Sequence, residues 1–181
     1  MRYTSSHIEQ LVAKGISFLK GHKKGIVYLE CEGMYDLEIT LSVAPSKEVD
    51  DFLIDGNFYR EDLSIEVVII YNPDKEKDLH WMNWSLNEIL AHEVCHYHQY
   101  LEGRLPRKGN KELPAAKYFL QKHEVEAQIA GWERVAQMTG DTVEKSSEIW
   151  FGRNYPFHGL EEAEWKKVIR KIFFLRDKLV L

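Results

Sequence analysis

Cysteine is scarce in this chain: Cys31 and Cys95 are the only two in 181 residues, too few for a disulfide framework, and a cytoplasmic setting is the expectation. No apolar run approaches the length of a membrane span. No strong signal peptide stands at the N-terminus, where Ser5-Ser6-His7-Ile8-Glu9 reads as a helix start. Positive charge is short as well, with 24 Lys and Arg against 29 Asp and Glu and a net charge of −5. Phosphate contact needs a basic face, so neither nucleic acid nor membrane is the expected partner. Internal repeats, low-complexity segments and long linkers are missing too. A chain of this length then suits a single domain with a genuine core. We expect residues 1–80 to carry a helix and a β-sheet, 81–140 the helices of a metal site, and 141–181 a helical extension.

What is present is His92-Glu93-Val94-Cys95-His96, an HExxH motif. On a helix, residues four apart share a face, so His92 and His96 can grip one ion, and Glu93 can reach a water beside it. By composition alone such a motif arises in about four of a hundred chains of this kind, so its context decides. Ser85-Leu86-Asn87-Glu88 reads as a capping box that opens a helix over about 85–102. Leu86, Leu90, Val94, Tyr97 and Leu101 fall on one arc of it, and the His pair lies well away, flanked by Ile89 and Glu93. Cys95 points elsewhere and reads as a small buried residue. His98 lies on a different face from the pair.

A catalytic site needs a third protein ligand. The extended motif HExxHxxGxxH is excluded, because Gln99 and Glu102 stand where it needs Gly and His. A better donor lies further on. Pro114 suits a helix start and Gly140 a helix end, so 114–139 reads as one long helix containing His123-Glu124-Val125-Glu126-Ala127-Gln128. Glu124, Ala127, Gln128 and Gly131 share a face whose small residues allow close approach. A carboxylate there can complete a two-His, one-Glu site, with Glu126 and His123 as competitors.

HExxH followed by a Glu-x-Glu-Ala-polar helix resembles the compact gluzincin-type metallopeptidases, including the ImmA/IrrE-like group of bacteria and phages. The resemblance covers about residues 60–140. It implies a zincin-like α+β fold, one zinc per chain held by His92, His96 and Glu124, and Gln128 in support of the site. Gln128 departs from the pattern, which more often has Asn or Asp there. The wording of the motif is also similar to SprT-like proteases, but neither their third His nor their cysteine ribbon is evident.

The rest of the chain reads as α+β: a small N-terminal mixed sheet on the motif helix, then further helices. Residues 5–20 form a helix stopped by Gly21. Gly25–Glu32 and Leu37–Ala44 are β-rich around a turn at Glu32–Asp36, and Ile65–Tyr71 is a strand. The strand is an edge open to an extended peptide, or an interior strand, since it is apolar on both faces. A loop surrounds Gly103–Gly109. An aromatic loop, Trp150–Gly159, offers Tyr155 or His158 as oxyanion donors and Arg153 for a substrate carboxylate, or merely packs between helices. The last helix runs from about Leu160 to Lys178, and its Lys166, Lys167, Arg170 and Lys171 read as a solvated face.

These residues point to a cytoplasmic zinc metallopeptidase that acts on a peptide or protein, with Glu93 as general base toward a metal-activated water. The alternatives are a binding or regulatory protein on the same scaffold, and a metal-dependent amidase acting on cell-wall material.

Overall fold

A computed structural model describes residues 5–21, 25–28, 37–76, 78–106, 113–154 and 159–179. Cys31, the turn at 32–36, residues 107–109 of the loop at 103–109, Tyr155 and His158 lie outside the described residues. The architecture is α+β, and the chain divides into two compact units, Met1–His98 and Gln99–Leu181.

In the first unit, helix α1 (Ser5–Lys20) turns Ile8, Leu11, Val12 and Leu19 inward at helical spacing, and ends where the Gly21 N–H donates to Ser17 and Phe18 carbonyls. Among the described residues four strands follow: β1 (Gly25–Tyr28), β2 (Glu38–Pro45), β3 (Phe52–Tyr59) and β4 (Ser64–Tyr71), laid out in the order β1-β2-β4-β3. β2 and β4 run parallel, and β1 and β3 flank them antiparallel. The open question about 65–71 is thereby resolved: β4 is interior. That is where a strand apolar on both faces belongs.

Beside β4, at one edge of the sheet, lies β3, which the sequence did not announce. Its centre is Asp55-Gly56-Asn57, residues that favour turns and are depleted in strands. An edge position tolerates them.

Strand register stacks Ile39 beside Ile65, Leu41 beside Val67 and Val43 beside Ile69 on the buried face. That face shares a core with α1 and with Met82, Leu86, Leu90, Val94 and Tyr97 of helix α2 (Leu79–Leu101). α2 starts earlier than expected. The Asp78 carboxylate accepts the Trp81 N–H at 3.0 Å, so Asp78 opens the helix and Ser85–Glu88 lies inside it. Leu101, expected on the core arc, is 53% exposed, because the helix ends there. Cys95 is half-buried rather than buried.

The second unit begins with the last turn of α2, closed by Gly103 in the left-handed region at φ 68°. The single helix expected over 114–139 is two. Helix α3 (Ala115–Tyr118) stops, Gln121 is extended at φ −67° and ψ 141°, and α4 (Lys122–Thr139) restarts the chain. The break leaves Phe119 buried against Trp150 and Phe151. Gly140, at φ 77°, ends α4 as expected.

Helix α5 (Val143–Asn154) opens on Thr142, whose hydroxyl accepts the Lys145 N–H. It takes in Trp150–Asn154, so that stretch is helical rather than loop. Trp150 and Phe151 join Trp132, and Phe151 stacks on Trp165, in an aromatic core completed by α6 (Glu162–Leu179). Lys166, Lys167, Arg170 and Lys171 form an exposed face of α6, as expected. Among the described residues no helix is long and apolar enough to cross a membrane.

Candidate metal centre

One turn of α2 separates His92 from His96, and both are buried. Their rings stand at 82° with centroids 4.8 Å apart, and their Nε2 atoms face each other at 3.1 Å. Two nitrogens each about 2.05 Å from one ion at the tetrahedral angle would stand roughly 3.3 Å apart. A hydrogen bond between the rings would also account for that spacing, so the pair by itself does not define a metal site. The carboxylates add to it.

Glu124 lies in the first turn of α4, where the free N–H groups and the helix dipole favour a negative charge. It is buried, and its Oε1 stands 3.3 Å from the His123 Nε2. One ligand atom each from His92, His96 and Glu124 lie within 4.8 Å of one another, a buried trio able to hold a metal ion.

The donor chemistry fits. Two imidazoles and a carboxylate form a set that binds first-row divalent ions. Burying an ionised carboxylate is costly without a compensating charge, and a cation among the three donors supplies one. Gln128, one turn beyond Glu124, adds a second sign. It is buried, and its Oε1 has no hydrogen-bond partner among the described residues, an orphan that a bound water or ion would satisfy.

Glu93 is buried beside the pair, with its Oε1 3.9 Å from the His92 Nε2. That is too long for a hydrogen bond between the two. β3 lies against this turn of α2. A Cβ built on Gly56 would come within 2.5 Å of the Ile89 Cγ1 and 3.1 Å of the Glu93 Cγ, so only a glycine lets the strand approach so closely. Further along β3, burial is the first cause that raises the Tyr59 phenol pKa, followed by Glu66, which accepts its O–H at 3.4 Å, with Asp55 and Glu93 adding to it.

The other candidate residues are placed differently. The Glu126 carboxylate is taken up by Gln99 and Arg104. His123 is half-buried beside Glu124. Arg153 is exposed near the end of α5. Sequence reasoning used Glu88 only as part of a capping box and Gln99 only to exclude the longer motif, yet both are buried polar residues of α2. With His92 and His96 they recur at i, i+4, i+8 and i+11, the helical period that would have found them.

Comparison with protein-family models, curated proteins and solved structures gives no significant match.

Proposed function

We propose that this chain is a zinc-dependent metallopeptidase of gluzincin type with a zincin-like fold, as its resemblance to the ImmA/IrrE-like group implies. The observation that carries the reading is the convergence of His92, His96 and Glu124 with a buried Glu93 on the adjoining turn. A zinc ion in that trio would supply Lewis acidity, making water acidic near neutral pH and stabilising negative charge on a carbonyl oxygen.

The protein's own groups do the rest. As ligands through Nε2, both histidines are neutral and carry their proton on Nδ1. Glu93 takes a proton from the attacking water and passes it to the departing amine. β3 ends the sheet and passes the Glu93 turn, so an extended peptide added to its outer edge by backbone hydrogen bonds would bring a scissile bond to that carboxylate. This edge takes the part that the sequence offered to residues 65–71. The substrate class is a peptide or protein, and the resemblance favours a specific protein over bulk peptide.

The test is cleavage of a peptide library by zinc-loaded wild type beside Glu93→Gln. The variant should keep its zinc and lose about 10²–10⁴-fold in turnover. If wild type and variant are equally inert, the peptidase reading fails and the scaffold is better read as a binding protein.

A further inference from the structure

Gln99 is fully buried on the last turn of α2, three residues beyond His96. Its side-chain amide donates to two acceptors on α4: the His123 carbonyl at 2.9 Å and the Glu126 carboxylate at 3.1 Å. Both acceptors are oxygens, so the chemistry fixes which end of the amide faces them. Those two residues bracket Glu124 in sequence.

The Gln99 backbone is engaged as well. Its carbonyl accepts the N–H of Arg104 at 2.8 Å and of Leu105 at 3.1 Å, which folds the chain back after Gly103. That return brings the Arg104 guanidinium onto the same Glu126 oxygen, Oε2, that accepts from Gln99, while its Nη2 meets Glu102 at 2.6 Å. Glu126, then Glu102, raise the Arg104 pKa further above its already high value.

Packing alone does not require this arrangement. A Met or Leu of similar volume would fill the space with no amide to satisfy, and a buried amide is tolerated only when its hydrogen bonds are made. Both of these side-chain hydrogen bonds go to the segment carrying Glu124. We infer that Gln99, backed by Glu126 and Arg104, is a positioning residue that fixes the first turn of α4 so that the Glu124 carboxylate is presented at the metal-ligand trio. The inference rests on the metal-centre reading and assigns Glu126 a supporting part instead of a ligand's.

The test measures metal binding rather than turnover. Zinc affinity is compared in wild type, Gln99→Met, Arg104→Met and Glu124→Ala, at a temperature where circular dichroism shows each fully folded. The visible spectrum of the cobalt(II)-loaded proteins, which follows the number and geometry of ligands, is recorded alongside. Gln99→Met should bind zinc about 10–100-fold more weakly, with a cobalt spectrum displaced toward that of Glu124→Ala. Arg104→Met alters only the exposed end of the clamp and folds whether or not Gln99→Met does. It should lose roughly threefold. A purely structural amide would change the unfolding midpoint and leave both the affinity of the folded protein and its spectrum alone. Wild-type affinity and spectrum in the folded variants therefore overturn the inference while the metal centre stands. Failure of wild type to take up zinc or cobalt overturns both.

Discussion

Substituting Gly56 by alanine tests the placement of the edge strand against the motif helix. The added Cβ would stand 2.5 Å from the Ile89 Cγ1 and 3.2 Å from its Cδ1, with the Glu93 Cγ at 3.1 Å. Ile89 is β-branched and stiff at χ1, so its Cγ1 cannot simply swing aside, and either β3 or α2 must shift. Overpacking of this kind costs about 1–3 kcal/mol. Gly56 is not among the glycines with positive φ, so alanine regains roughly 0.4–1 kcal/mol by restricting the unfolded chain. The net loss is about 1–2 kcal/mol, or a fall in Tm of about 2–8 °C for a chain of this size. Ile89→Ala removes the closest atom and leaves only the flexible Glu93 Cγ at 3.1 Å, so in that background Gly56→Ala should be near neutral. The double-mutant cycle, read by chemical and thermal denaturation, should give a coupling of about 1–2 kcal/mol. A Gly56→Ala protein as stable as wild type, with no coupling to Ile89, would refute the placement of β3.

Three further outcomes follow from named contacts. Metal analysis of Glu124→Ala should show loss of the single bound ion, whereas Glu126→Ala should retain it with weakened affinity; the reverse pattern would exchange the two roles. Phe151 is fully buried with ring neighbours Phe119, Trp132, Trp150 and Trp165, so Phe151→Ala should cost about 3–5 kcal/mol by denaturant titration, and Phe151→Leu clearly less. The Glu162 carboxyl is held below its ordinary pKa by its hydrogen bond to Lys166 and then by that residue's charge. A depressed carboxylate contributes stability above its unfolded pKa and loses it as pH falls through the folded value. Any stability gap between wild type and Glu162→Gln should therefore be present at neutral pH, close in acid and shrink in high salt, and a gap that persisted in acid would contradict the assignment.

Periodicity made much of the scaffold legible. α1, β2, β4 and α6 carry their apolar residues at periods that match the structure, and the end of α4 was marked by Gly140. Local signals misled where tertiary context won. Asp55-Gly56-Asn57 disguised an edge strand, because the need for close approach to Ile89 outweighed strand propensity. Ser85–Glu88 has the form of a helix start, but Asp78 caps the chain first and nothing between them breaks the helix. A helix running through from Pro114 looked continuous because nothing in 115–121 forbids helix; the break appears only with Phe119 buried in an aromatic cluster.

The candidate third ligand is the more instructive case. Helix arithmetic placed Glu124 on the face of small residues, but it could not dismiss Glu126, two positions on and of the same chemistry. What separates them in the structure is their partners. Glu126 is half-buried and accepts from Gln99 and Arg104, two donors that already answer its charge. Glu124 is 4% exposed and lies with two imidazole nitrogens in a trio able to hold a metal ion. A carboxylate so buried is costly to keep ionised, and a half-buried one beside a guanidinium is not. The choice between them therefore rests on Gln99 and Arg104, neither of which belongs to the trio. A sequence motif for this site would have to include Gln99, the residue that rules out the longer HExxHxxGxxH pattern.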